Sequence, residues 1–97
     1  MIYHVVPGII WKAALSQGFY EADSLAAEGF IHASKEEQVA GVLNRYFKDQ
    51  TDLVLLHIDE SKLTAELKYE FASSVNESFP HIYGRLNANA VIKAVPL

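Results

Sequence analysis

The sequence predicts one α+β domain spanning residues 1–97, with a split or strongly bent mixed sheet and two main helices. The chain is long enough for one hydrophobic core and too short for two. Apolar residues make up 51% of it, so it can bury enough surface to fold without disulfide bonds. Its pattern runs strand, helix, strand, helix and then several strands, an order typical of the α+β class.

The first elements follow from short-range signals. Ile2–Val6 is rich in β-formers and is ended by Pro7-Gly8, which predicts a strand. Alternation along that strand places His4 on the same face as Ile2 and Val6. Ile9–Gln17 then has a helical pattern, and Gly18 stands where a left-handed residue ends a helix.

A second helical region is predicted after a short extended segment. Asp23 or Ser24 begins one helical turn, and Gly29–Ala33 is extended in character. Ser34 and Glu37 have the spacing of a capping box, in which each side chain satisfies a free backbone N–H group. The residues that follow form one apolar helix face: Val39, Val42, Leu43, Tyr46 and Phe47.

The second half of the chain reads mainly as strands. Leu53–Ile58 is almost continuously apolar, as expected of a central strand. Leu67–Ala72 alternates between apolar and charged residues, and Ser73–Ser78 is a polar loop. Phe79–Gly84 is interpreted as a compact, loop-like aromatic segment, and Ala90–Val95 as the last strand.

Composition excludes several classes of function. The chain has no cysteine, which removes disulfides, thiolate metal sites and a cysteine nucleophile. A formal charge of −4 with scattered Lys and Arg argues against a nucleic-acid partner, which would need a basic face. No run approaches the roughly 18 apolar residues of a membrane span, and the first residues lack the pattern of a signal peptide. A cytoplasmic protein that does not bind membranes is therefore expected.

Four histidines are the first residues that could carry chemistry. His57 lies inside the predicted central strand and is interpreted as structural. His4 and His32 each precede a segment that leaves the sheet, so they could face one cleft and contact a ligand. His81 lies in the loop-like segment. The alternative for each histidine is a packed residue that hydrogen-bonds to the backbone.

Other polar and aromatic residues also have two interpretations. Ser34 serves as a helix cap, and the same position at a helix N-terminus can attract ligand oxygens. Glu70 is either a solvated strand carboxylate or a general base, whereas Glu28 is interpreted as surface charge. The Phe79–Gly84 segment either plugs the core or forms an aromatic wall for a planar ligand. Trp11 is most simply the anchor of its helix.

Known site motifs are absent from the sequence. No histidine pair has metal-binding spacing, so no metal site is expected. The sequence also lacks the glycine-rich loops of dinucleotide and triphosphate sites and the nucleophile elbow of hydrolases.

Several strings together carry a family resemblance over nearly the whole chain. They are Tyr3-His4, Trp11, Ser24-Leu25, Glu28 to Ser34, Gln38, Tyr69-Glu70 and Phe79 to Gly84. With them, the chain resembles the bacterial domain of unknown function family 952. That family is similar in fold to the ADP-ribosyltransferases, and most similar to their RNA 2′-phosphotransferase branch. The resemblance implies a cleft between two small sheets that holds NAD as a substrate.

The same resemblance implies roles for individual residues. Tyr3-His4 matches the start of an early strand motif, and Ile31-His32-Ala33-Ser34 matches a later one at its histidine and serine. His4 would then contact a ribose of NAD, and His32 would lie on the nicotinamide side. The implied NAD-binding residues are His4, Trp11, Ser24, His32, Ser34 and Tyr83. Val5-Val6 departs from the glycine and threonine of the related motif.

The leading functional hypothesis is cleavage of the nicotinamide–ribose bond. Its catalytic residues would be His4 and His32 at the developing positive charge, with Glu70 or His81 handling the acceptor. A third motif residue is not fixed, because Glu70, His81 and Tyr83 all qualify. The alternatives are a non-catalytic binder of a nucleotide or other small ligand, and a hydrolase or lyase for an unrelated metabolite. The sequence gives no oligomeric state.

Overall fold

Two three-stranded sheets and one two-stranded ribbon form the framework. The computed structural model describes all 97 residues. The strands are β1 (Ile2–Pro7), β2 (Phe19–Tyr20), β3 (Ile31–His32), β4 (Leu53–Ile58), β5 (Glu66–Ala72), β6 (Glu77–Tyr83), β7 (Leu86–Asn87) and β8 (Val91–Pro96). The α-helices are α1 (Gly8–Gln17), α2 (Asp23–Glu28) and α3 (Val39–Tyr46). Short 3-10 turns lie at Glu36–Gln38, Glu60–Lys62 and Ala88–Ala90.

The sheet is split, as predicted, but it is not mixed. The first sheet has the order β1-β4-β8, the second sheet has the order β3-β6-β5, and β2 pairs with β7. Every pairing is antiparallel. In the second sheet β5 runs directly into β6 through a short turn, in which Asn76 has a positive φ of 57°. A connection this short can join only antiparallel neighbours, so the prediction of a mixed sheet was wrong.

One apolar core joins the two sheets. Leu56 and Ile58 of β4 and Ile82 of β6 are fully buried in the same cluster, together with Trp11 of α1. β4 is the central strand of the first sheet, which confirms its prediction from the apolar run. Burial of such side chains stabilises the fold by roughly 1.5–3 kcal/mol each.

The helix ends confirm one prediction from local sequence and correct another. Gly18 has a φ of 90° and donates its N–H to Ala14, so α1 ends as predicted. The predicted Ser34–Glu37 capping box is wrong. The backbone N–H of Lys35 instead donates to Oε1 of Gln38 at 2.9 Å, which caps the 3-10 turn before α3.

The backbone of Ser34 explains this correction and links the two sheets. Its N–H donates to the carbonyl of Tyr3 at 2.7 Å and its carbonyl accepts from the Tyr3 N–H at 2.8 Å. Ser34 is therefore paired with β1, and the N-cap of the 3-10 turn is the next residue, Lys35. This pairing brings His4 of β1 beside His32 at the end of β3.

Two further observations complete the fold. The loop-like interpretation of Phe79–Gly84 was wrong, because Phe79 to Tyr83 belong to β6, the central strand of the second sheet. No helix is both long enough and apolar enough to span a membrane.

Candidate functional site

A cavity of about 540 Å³ lies where the two sheets meet, beneath α3. Its size is within the range of small-molecule sites. Its polar lining consists of His4, Glu28, His32, Ser34, Ser74 and His81. Its apolar lining includes Val5, Ala33, Val42, Phe47, Val75 and Phe79. The structure thus brings His4, His32, Ser34 and His81 together, as expected of a ligand site.

His4 is held by the protein through both ring nitrogens. Its Nδ1 lies 2.6 Å from the carbonyl oxygen of His32, and its Nε2 lies 3.0 Å from the Tyr20 hydroxyl. A carbonyl only accepts, so Nδ1 carries the proton and Nε2 accepts from Tyr20. Burial lowers the pKa of His4 to about 4, and burial also raises the pKa of Tyr20 to about 12.

These contacts give His4 a positioning role in this structure. The ring is neutral at pH 7, and neither nitrogen has a vacant hydrogen-bonding position for a ligand. It fixes the carbonyl of His32 and so holds the end of β3 against β1. The expected contact between His4 and a ribose stays a prediction, which would require Tyr20 or the carbonyl to be displaced.

His81 makes the shorter of two carboxylate–imidazole contacts at the cavity. Its Nδ1 lies 2.7 Å from Oε1 of Glu70, and the Tyr83 hydroxyl donates to the same oxygen at 2.5 Å. The Tyr83 hydrogen bond, followed by that of His81, lowers the pKa of Glu70. An ionised carboxylate only accepts, so Nδ1 of His81 carries the proton. Nε2 then has a free lone pair and no protein partner, the arrangement of a general base with its orienting carboxylate.

His32 forms a second carboxylate–imidazole pair beside the first. Its Nε2 lies 3.0 Å from Oε2 of Glu28, which leaves its Nδ1 without a protein partner. The His32 and His81 rings are 5.2 Å apart, nearly perpendicular. Phe30 contacts both rings from one side, stacked on His81 at 4.1 Å and edge-on to His32 at 4.8 Å. Phe30 therefore fixes the orientation of both imidazoles.

Antiparallel register explains why these groups converge. His32 of β3 pairs directly with His81 of β6. Lys68 of β5 lies opposite His81, and Glu70 is its diagonal neighbour on the same face. The second sheet therefore collects two imidazoles and a carboxylate from three strands onto one face. No group of three or more His, Asp or Glu side chains in the chain is arranged to hold a metal ion.

The other residues expected at the site lie elsewhere or behind it. Glu70 and Tyr83 stand behind His81 and do not line the cavity. Ser24 donates its hydroxyl to the carbonyl of Phe30 at 2.8 Å, which is a loop contact. Trp11 is buried under α1 and borders a separate groove, so the structure does not place it with the NAD-binding set.

Four residues at or near the site escaped the sequence argument. Glu28 is exposed, as its interpretation as surface charge expected, and it also lines the cavity and pairs with His32. Tyr20 and Phe30 orient the histidines, and Gln38 fixes the start of α3. Only the four-residue separation of Glu28 and His32 was a usable signal. The contacts of Tyr20 with His4 and of Phe30 with His81 join residues distant in sequence.

Comparisons with known proteins agree on one family. A family model described as "Protein of unknown function (DUF952)" matches residues 5–94. The crystal structure of protein CC0527 from Caulobacter crescentus is similar, with 34% identity and a TM-score of 0.88 over 97% of this chain and 82% of that one. The solution structure of CC0527 matches with a TM-score of 0.84 and 34% identity, over 99% of this chain and 83% of that one. None of the curated proteins matches the sequence.

Proposed function

Because this chain belongs to the DUF952 family, whose description assigns no activity, we propose a function from the site: cleavage of the nicotinamide–ribose bond of an NAD-type ligand. The observation that carries the proposal is the Glu70–His81 pair, whose free Nε2 belongs to a ring on the cavity wall. Its supporting elements are the neighbouring His32–Glu28 pair and an apolar cavity of ligand size. The ADP-ribosyltransferase-like fold implied by the sequence motifs is part of the proposal.

The reaction follows from the two pairs. The bond between C1 of the ribose and the ring nitrogen of nicotinamide breaks, and its electron pair leaves with the neutral nicotinamide. A water oxygen bonds to C1, and the proton it loses moves to Nε2 of His81. Glu70 holds the resulting imidazolium, as orienting carboxylates do in other acid–base pairs.

The second pair acts on the developing charge. The C1 centre becomes positive as the bond breaks, and the carboxylate of Glu28 on the cavity wall stabilises that charge. The free Nδ1 of His32 accepts a hydrogen bond from a ribose hydroxyl. The side chains of His32 and Glu28 are 53% and 50% exposed, so solvent moderates both effects.

The test is product analysis with matched histidine variants. The protein is incubated with NAD, and nicotinamide and ADP-ribose are separated by liquid chromatography. His81→Ala is expected to lower the rate by about 10²–10⁴-fold, the usual contribution of a general base. His57→Ala is the control, because His57 lies on β4 and does not line the cavity.

Calorimetry with NAD and ADP-ribose separates the remaining interpretations. Saturable binding that His32→Ala weakens, without release of nicotinamide, would replace catalysis by a binding function. Equal turnover in His81→Ala and the unmodified protein would contradict the assignment of the base. No binding at millimolar NAD and ADP-ribose would overturn the proposal.

A further inference from the structure

The charge on the cavity wall is unusual for a site that accepts nucleotides. Glu28 is the only Asp or Glu among the lining residues, and no Lys or Arg lines the cavity. Phosphate groups are normally bound by Arg, Lys or the N-terminus of a helix. A ligand phosphate here would meet a carboxylate in surroundings with few charges to offset it.

Three cationic side chains contact aromatic rings or carboxylates of the protein itself. Lys68 lies 4.8 Å from the centre of the Tyr83 ring and 4.0 Å from a Glu66 carboxylate oxygen. Arg85 pairs with Glu21 at 3.0 Å and lies over the ring of Phe19 at 4.0 Å. Arg45 of α3 lies over the ring of Tyr46 at 5.7 Å.

The remaining wall suits a flat, positively charged ring. Aromatic rings from Tyr46, Phe47 and Phe79 line the cavity together with the Glu28 carboxylate. Aromatic faces attract cations through the quadrupole of the ring, and a carboxylate attracts them directly. The nicotinamide ring bonded to ribose is both planar and cationic.

From this charge distribution we infer that the cleft is specific for a phosphate-free pyridinium riboside, with NAD a weaker ligand. The inference rests on the proposed function and specifies its substrate class. The riboside carries the same scissile bond as NAD and one positive charge. A 5′-phosphate adds negative charge to the cavity that already holds the Glu28 carboxylate, and no Lys or Arg lines that cavity.

The inference is tested by calorimetry on the unmodified protein with three probes. They are nicotinamide riboside, its 5′-monophosphate and NAD, measured in one buffer at one ionic strength. We expect the riboside to bind about 10-fold tighter than the monophosphate, a ratio equal to about 1.4 kcal/mol. Tighter binding of the monophosphate or NAD than of the riboside would overturn the inference.

Variants test whether Glu28 is the source of the preference for the riboside over the monophosphate. Glu28→Gln is expected to weaken riboside binding by about 5–10-fold and to reduce the preference over the monophosphate, because the carboxylate is the source of both. Glu36→Gln removes an exposed carboxylate that does not line the cavity, and is expected to change neither quantity. An unchanged preference in Glu28→Gln would contradict the inference.

Arg45 provides the opposing test. If this exposed arginine reaches a ligand phosphate, Arg45→Ala will weaken monophosphate binding and leave the riboside unaffected, and the inference is then wrong. We expect Arg45→Ala to affect both ligands equally, by less than about 2-fold.

The outcome also separates this inference from the proposed function. Cleavage of NAD with a preference for phosphorylated ligands would overturn the inference alone. Failure of all three probes to bind would overturn both.

Discussion

The two three-stranded sheets carry a histidine at equivalent places and use it differently. His57 lies on β4 and His81 on β6, and each strand is the centre of its sheet. His57 has Tyr3 and Lys93 opposite it, packs edge-on against the Tyr3 ring at 4.9 Å and makes no side-chain hydrogen bond. His81 has a carboxylate on its diagonal and another imidazole directly opposite. The side chains on the neighbouring strands, and not the position in the sheet, decide whether a histidine pairs with a carboxylate.

The largest predicted effect tests whether the two sheets share one core. Leu56→Ala in the first sheet and Ile82→Ala in the second each remove a fully buried side chain from the same cluster. We expect each to lower the free energy of unfolding by about 2–5 kcal/mol, measured by urea denaturation. Ile92→Ala is the control: half of its side chain is exposed, so it should cost less than about 0.5 kcal/mol. Loss of cooperativity in only one variant would mean that the sheets unfold separately.

The next effect distinguishes His4 from the other histidines by pH. Its pKa is about 4 in the folded state, whereas the ordinary histidine pKa is 6.5, so the unfolded chain binds a proton more readily between these pH values. Stability therefore rises with pH across this interval and falls on acidification, by about 3 kcal/mol in total. We expect His4→Gln to remove this share of the pH dependence in denaturation curves measured from pH 4 to 7.

His57→Gln is the matched control for that measurement, since it leaves His4 in place. It should retain the slope of the unmodified protein between pH 4 and 6.5. If His4→Gln and His57→Gln follow the same curve, His4 is not the group responsible.

A smaller effect probes the end of β6. Gly84 has a φ of 155°, and a Cβ atom at this position would lie 2.8 Å from the Cβ of Ala65. Gly84→Ala should therefore cost about 1–3 kcal/mol in thermal or chemical unfolding. Gly41→Ala in α3 meets only the flexible end of Arg45 and should be neutral or stabilising by up to about 1 kcal/mol. Equal effects of the two substitutions would show that Gly84 is not under steric restriction.

The smallest effect concerns the carboxylate behind His81. Tyr83→Phe removes the hydrogen bond that contributes most to the lowered pKa of Glu70. We expect the pKa of Glu70 to rise toward its ordinary value, observed by carboxyl-carbon NMR during a pH titration. His81→Ala should raise this pKa by less, because its hydrogen bond is the second contribution. The reverse order would show that the lowered pKa of Glu70 depends mainly on its hydrogen bond with His81.

Local signals predicted the elements that depend on neighbouring residues. Gly18 ends α1 because left-handed backbone is a property of that residue, and the apolar run of β4 marks a central strand. His4 and His32 both line the cavity, and their shared role in ligand binding stays a prediction. That prediction rests on two histidines that each lie next to a segment leaving the sheet.

Long-range pairing explains what the sequence did not reveal. Pro80 made its segment resemble a loop, since proline lacks the N–H that a central strand uses. In the structure its carbonyl accepts from the N–H of Ala33, just past the two-residue β3. Similarly, Ser34 has the sequence spacing of a helix cap, but its backbone pairs with that of Tyr3. These partners are 31 or more positions apart, beyond any local pattern.

The weakly buried helix α3 has a consequence for the mobility of the cavity wall. None of its residues is buried, although its apolar side faces the cavity. Its start is held by Gln38, whose amide donates to Glu77 at 3.1 Å and to the carbonyl of Ser78 at 2.8 Å. Segments with little burial open locally at a small fraction of the global unfolding energy. We therefore expect amide hydrogens of α3 to exchange with solvent much faster than those of β4, so the helical wall of the cavity is its most mobile part and the Gln38 turn its anchor.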